Sequence, residues 1–220
     1  GIAISVVVLP QLSKFMALKN KNKITIIQNK ALELSMFLSI PATVAIFVGS
    51  NEIISGLFGY GSFSLVSVEN SAKALYFFGL GLPAFALIKV FSSFFFANHD
   101  TKTPFYISLV SVILNIIISI YYFKSVGFII IPIATTISSW FNSIFLFVYL
   151  KKNNLFKFNK IFITRFFKII FASFLMGVLF KFLISVFENQ LSFEYYFKSV
   201  YLIITVLLCI VFYIFTSFFI

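Results

Sequence analysis

The chain has 220 residues, 61% hydrophobic and 20% aromatic, with 10% charged and a formal net charge of +11, and its mean hydropathy is +1.08. Soluble domains carry roughly a quarter of their residues as charged side chains, so this composition excludes an ordinary soluble domain and points to an integral membrane protein. The basic excess does not describe a nucleic-acid-binding face, because the 16 Lys and single Arg lie in short stretches between apolar runs.

The opening, "GIAISVVVLPQLSKF", lacks Met, has no basic region before it and is already apolar. It reads as a truncated span at 1–13 of a longer protein rather than as a signal peptide. A bilayer core of about 30 Å needs roughly 20 helical residues, and runs of that length place complete spans near 31–50, 72–97, 104–123, 127–150, 164–187 and 198–220. Lipid offers the backbone no hydrogen-bonding partner, which leaves helices or a closed barrel, and these runs are too long and unalternating for barrel strands. The expected fold is an all-α, polytopic transmembrane helix bundle of six complete spans and one partial span.

Lys and Arg counted by side set the expected orientation. One side receives Lys14, Lys19, Lys21, Lys23, Lys30, Lys102, Lys151, Lys152, Lys157, Lys160, Arg165 and Lys168, and the other Lys73, Lys124 and Lys198. Twelve against three assigns the first side to the cytoplasm, and strict alternation leaves the C-terminus there too.

Along this map, "GLFGYGSF" (56–63) lacks the Lys-Ser/Thr of a phosphate loop and reads as an extracytoplasmic re-entrant or turn element. Pro41, Pro83 and Pro132 interrupt or begin spans, and an interior proline removes a backbone bond and kinks its helix. Lys89 lies eight residues inside its span, about 12 Å from the cytoplasmic end, which is beyond comfortable snorkelling. It is expected to face protein or water and to line a path for an anionic substrate. Lys168 and Lys181 lie nearer helix ends and can reach headgroups.

"NHDTKTP" (98–104) holds the one His and the one Asp of the chain, without a Ser or Cys nucleophile motif. It reads as a cytoplasmic hairpin in which Thr103 and Pro104 start the next helix and Asp100 pairs with Lys102 or caps amides. Asn115 and Ser119 share a helix face, and Thr135 and Thr136 begin a polar stripe on the next span. Such residues hydrogen-bond neighbouring helices, and their oxygens also suit a small hard cation, though no carboxylate accompanies them. Cys209, the one cysteine, excludes an intrachain disulfide. The last two spans are apolar around the whole circumference and read as lipid-facing, either shielding the bundle or receiving a long lipid tail.

The segments "LPQLSK" (9–14), "SIPATVAI" (39–46), "LFGYGSF" (57–63), "FGLGLPAFALIKVFSSFFFANHDTKTP" (78–104), Asn115 and "ATTISSWFN" (134–142) together resemble the lipid II flippase family (MurJ, also called MviN) of the multidrug/oligosaccharidyl-lipid/polysaccharide exporter superfamily. The resemblance implies the second lobe of a two-lobe inner-membrane protein that carries an undecaprenyl-pyrophosphate-linked disaccharide-peptide to the outer leaflet by alternating access. It implies as partners that lipid-linked substrate, membrane lipids and the N-terminal lobe of the same protein, with no nucleic acid. The last two helices would form the groove for the lipid tail. No cofactor is implied; a sodium ion or the membrane potential would supply the driving force. Asn115 and Thr135 match positions of a cation site in some relatives, and Ser119 stands where a carboxylate would complete it. The alternatives are a flippase for another polyprenyl-linked glycan of the O-antigen type and a multidrug exporter of the same superfamily. A membrane glycosyl- or acyltransferase would need convergent carboxylates or His at one face, whereas here the acids are scattered.

Overall fold

The computed structural model describes residues 2–219, with side chains from residue 4. Its helices are α1 (Ile2–Ala17), α2 (Lys21–Phe58), α3 (Leu65–Ala97), α4 (Lys102–Val126), α5 (Ile130–Lys152), α6 (Lys160–Val186), the single turn α7 (Glu188–Leu191) and α8 (Lys198–Phe219), with a 3₁₀ turn at Gly127–Ile129. No strand occurs among the described residues. By length and composition α2, α3, the Lys102–Lys152 stretch, α6 and α8 can each cross a membrane. The helices outrun the apolar runs, α2 by ten residues at its start and eight at its end. Hydropathy marks what sits in hydrocarbon, while a helix continues until a cap or turn ends it. Asn20 caps α2 by accepting from Lys23 N at 3.1 Å, and Ser64 caps α3 by accepting from Ser67 N at 3.2 Å.

The chain divides into two compact units: the residues up to Ser39 with Gly81–Phe167, and Ile40–Leu80 with the residues from Lys168 onward. In the first unit, Leu12, Leu32, Val90, Phe94, Phe95, Leu146, Leu150 and Phe156 form one buried core. Helix association in lipid gains little from removing apolar surface from water, so close packing must supply the attraction. Phe156, in the α5–α6 connector, stacks on Phe94 with centroids 6.0 Å apart and meets Phe147 edge-on at 6.1 Å. The connector is tied to α2 as well. Gln28 Nε2 donates to Leu155 O at 2.8 Å, Asn29 Nδ2 donates to Lys157 O at 2.9 Å, and Arg165 donates to both oxygens of Glu33 at 3.0 Å. The start of α2, the end of α3 and the α5–α6 connector therefore gather at one end of this unit.

Three helix ends in this unit close in one way. Lys19, His99 and Asn154 adopt φ of 51°, 59° and 55°, and the next residue in each case donates back five positions: Asn20 to Phe15 O and Asp100 to Phe95 O at 3.0 Å, Leu155 to Leu150 O at 2.9 Å. This is the Schellman closure, with the left-handed position filled by residues other than glycine. His99 is thus a turn residue. The helix that follows starts two residues earlier than expected. α4 begins at Lys102 after its N-cap Thr101, and the side chain that accepts from its first turn is Asp100, one residue before that cap, whose Oδ1 takes Thr103 N–H at 3.0 Å, rather than the Thr103 hydroxyl. Pro104 is the third helical residue, where its missing donor would still have been unpaired. Because a carboxylate at a helix N-terminus interacts favourably with the macrodipole, the acidic side chain takes the cap.

α4 and α5 run antiparallel. The reversal needs Gly127, whose φ of 75° and ψ of −155° are costly for a residue with a Cβ. The predicted span start at 127 is this 3₁₀ turn, and α5 follows with Pro132 buried in its first turn.

In the second unit the later half of α2 packs against α6 through reciprocal glycines. A Cβ on Gly177 would lie 2.5 Å from Val44, and one on Gly49 would lie 2.5 Å from Phe180. The departure from helical geometry in α2 falls at Gly49 (φ −128°, ψ 32°), not at Pro41. α8 is not uniformly lipid-facing: Lys198, Leu202, Thr205, Cys209 and Tyr213 form a buried stripe at three- and four-residue spacing. α6 likewise buries Ile169, Ala172, Ser173, Met176 and Phe180. The exposed face of α8, including Ile203, Leu207, Ile210 and Val211, is apolar and suits lipid.

Candidate functional site

Lys89 is exposed on α3 and lines an open groove of about 650 Å³ walled by α1, α3 and α4. Ser92, Thr101, Ser108, Phe96 and Phe105 also line it, and no carboxylate does. Lys89 stands eight positions before the end of α3 at Ala97, so its Cα lies about 12 Å along the helix from that end. A fixed cation among hydroxyl groups and apolar walls can receive an anionic headgroup beside an apolar stem. Lys168 and Lys181 are not among the groove's walls.

Asn115 and Thr135, expected as a cation site, are brought together across the α4–α5 hairpin. Asn115 Nδ2 donates to Thr135 Oγ1 at 3.1 Å and to Ser138 Oγ at 3.2 Å, while Asn115 Oδ1 accepts from Ser119 at 3.3 Å. Thr135 Oγ1 itself donates to Ile131 O at 2.8 Å, and Asn142 Nδ2 donates to Ser108 Oγ at 3.3 Å one end further along the hairpin. The amide nitrogen faces the α5 hydroxyls, the amide oxygen is taken by Ser119 on the same helix, and the seam holds no carboxylate. This donor set does not fit a firmly held sodium ion; it fits a clamp between two helices.

Sequence reasoning missed the polar latch at the far end of the second unit. Lys198, counted among outward-facing cations, is 1% exposed. Its ammonium donates to Gly59 O at 2.6 Å and to Phe193 O, and lies 4.6 Å from the Tyr60 ring centroid and 4.4 Å from that of Phe193. Ser199 Oγ donates to Gly56 O at 2.7 Å, and its N–H reaches Tyr60 Oη at 3.3 Å. "GLFGYGSF" is therefore the end of α2 and a turn, not a re-entrant element, and its Gly59 carbonyl receives the cation that a helix C-terminus favours. The available signal was weak: a Lys flanked by aromatics at the very start of an apolar run.

In water-facing segments, Asp100 is held below the usual carboxylate range, chiefly by the hydrogen bond from the Thr103 backbone amide.

A family model described as "Lipid II flippase MurJ" matches residues 1–218. The chain is 38% identical over 147 residues to a probable lipid II flippase MurJ of Rhizobium meliloti (strain 1021), covering 67% of this chain and 28% of that protein. It is 36% identical over 154 residues to the corresponding protein of Rickettsia prowazekii (strain Madrid E), covering 70% and 30%. A solved structure of lipid II flippase MurJ in an inward closed conformation superposes with a TM-score of 0.76 at 25% identity, covering 97% of this chain and 41% of that one. The chain thus spans about 30% of the length of these curated relatives. The apolar helices, the hairpin, the basic connectors and a match running over nearly every residue lead to one assignment: the chain belongs to the lipid II flippase MurJ family.

Proposed function

We propose that this chain is the second lobe of a lipid II flippase, which moves an undecaprenyl-linked peptidoglycan precursor from the cytoplasmic to the outer leaflet by alternating access. The protein lies in the bacterial inner membrane. The basic connectors and the C-terminus lie on the cytoplasmic side, and the spans follow the helices from α2 to α6 and α8, with α1 as the end of a preceding span. The N-terminal lobe of the same protein supplies the opposite wall of the path. The observation that carries this reading is Lys89, a cation presented to an open groove in the body of a helix bundle of this family. The anionic headgroup passes through water between the lobes, attracted by Lys89, while the polyprenyl tail stays in lipid along the apolar face of α8. No enzymatic step belongs to this scheme.

In the full-length protein, Lys89→Ala is expected to slow lipid II translocation about tenfold or more, while Lys181→Ala stays within about twofold of wild type. Equal tolerance of both substitutions would remove Lys89 from the mechanism. Failure of the full-length gene to rescue depletion of lipid II flippase, with rescue of a strain lacking an O-antigen-type flippase, would replace lipid II by another polyprenyl-linked glycan.

A further inference from the structure

A second cavity, of about 500 Å³, opens in the second unit between α2 and α3, lined by Ser50, Asn51, Glu69, Lys73, Tyr76 and Phe77. Its volume falls in the usual range for ligand pockets, roughly 300–1,000 Å³. Glu69 and Lys73 stand at i and i+4 on α3, one helical turn or about 6 Å apart, in the order that favours an ion pair within a helix. Yet they form no ion pair, and neither they nor Ser50 and Asn51 hydrogen-bond through their side chains to any described residue. Opposite charges that could satisfy each other are instead both presented to the cavity. Aromatic rings back it: Tyr76 packs on Phe47 with centroids 5.1 Å apart and meets Phe77 edge-on at 5.4 Å. The backbone leaves helical geometry at Gly49, immediately before Ser50 and Asn51, which sets these two residues on the segment beyond the kink.

We infer that this cavity is a binding site for a zwitterionic peptide group, with Glu69 receiving an ammonium, Lys73 receiving a carboxylate, and Ser50 and Asn51 hydrogen-bonding the intervening amides. The cavity is separate from the Lys89 groove, with which it shares no residue. An isolated phosphate would gain Lys73 but be repelled by Glu69, and an isolated cation would meet the reverse, so the pair selects a ligand carrying both charges. Resting on the flippase reading, the site receives the peptide arm of the headgroup on the extracytoplasmic side, where the tether that ends α2 and begins α3 lies in the orientation above.

The test uses the full-length protein in lipid nanodiscs and an N-acetylated pentapeptide with one lysine side chain and a free C-terminal carboxylate, alongside its C-amidated and Nε-acetylated forms. Wild type should bind the parent peptide saturably and each blocked form about fivefold more weakly, the range for solvent-accessible ion pairs. Glu69→Gln should abolish the discrimination against the Nε-acetylated form alone, and Lys73→Gln the discrimination against the amidated form alone, as coupled changes in a cycle require. Lys124→Gln, at an exposed position on α4, should bind as wild type. Absence of saturable binding, or equal affinity of wild type for all three peptides, overturns the site without recourse to any variant. Lipid II translocation by the same preparation is scored separately: intact translocation with no peptide discrimination sinks this site and leaves the flippase reading standing, whereas discrimination without translocation does the opposite.

Discussion

Replacing Lys198 by Met keeps the unbranched stem and removes the ammonium. Because Lys198 is 1% exposed, water cannot replace what is lost. Two charge-assisted hydrogen bonds, to Gly59 O and Phe193 O, contribute about 2 kcal/mol each, and the contacts with the Tyr60 and Phe193 rings about 1 kcal/mol each. Roughly half of that sum returns, because a cation no longer has to be held out of water. A net loss of about 3 kcal/mol remains, equivalent to a roughly 150-fold shift in the local opening equilibrium. Pulsed hydrogen exchange on the full-length protein in nanodiscs reads this directly, in peptides covering 56–64 and 193–202. Protection there should fall by about two orders of magnitude, while peptides from the α4–α5 hairpin change little. Lys124→Met serves as the control, since Lys124 is exposed. A loss of protection smaller than about threefold would show that the ammonium does not hold the start of α8 to the end of α2.

Two further outcomes are expected. The Asp100 carboxyl is depressed below the ordinary value of 3.8 by its hydrogen bond from Thr103, so its contribution to the 98–103 turn is present above about pH 4 and is lost as pH falls through the lowered folded value. A carboxyl titration by NMR should give a midpoint under 3.8; Asp100→Asn should keep the cap and remove the acid sensitivity, and a midpoint at or above the ordinary value would show that the cap is not formed in solution. Asn115→Ala should destabilise the α4–α5 hairpin by about 1 kcal/mol, the scale of an interhelical hydrogen bond in a membrane protein. Exchanging sodium for choline should leave the melting temperature of wild type unchanged, and a sodium-dependent rise that Asn115→Ala abolishes would restore a cation to this seam.

What the sequence made legible follows from what hydropathy measures. Apolar runs located α3, α4, α6 and α8 because lipid-facing and packed positions are both apolar in a membrane protein. For the same reason the runs could not say which face packs. Lys198, Thr205, Cys209 and Tyr213 lie on the buried stripe of α8, while Ile204 and Leu208 are exposed; the stripe has a helical period, but it is the less apolar face that packs, the reverse of what hydropathy marks as buried in a soluble helix. Helix ends were less legible than middles. Asn20 and Ser64 extend α2 and α3 beyond their apolar stretches, and of the two capping side chains the sequence offered, Thr103 and Asp100, it is Asp100 that accepts from a backbone amide. Asn115 and Thr135, noted in the sequence as polar residues on consecutive spans, hydrogen-bond across the hairpin that turns at Gly127. The burial of Lys198 went unread for a different reason. A charge at the edge of a run ordinarily marks water, and its acceptor Gly59 lies 139 residues away, outside the reach of any window.

That separation also bears on biosynthesis. A ribosome adding about 5–20 residues per second needs roughly 7–28 s to travel from the codon for Gly59 to that for Lys198, and longer before the lysine clears the exit tunnel. Throughout that interval the turn at 59–62 has been made while the cation that donates to its carbonyl has not. Until α8 is inserted, that corner must be sheltered by headgroups, water or the insertion machinery, so the arrival of α8 is what relieves them of it.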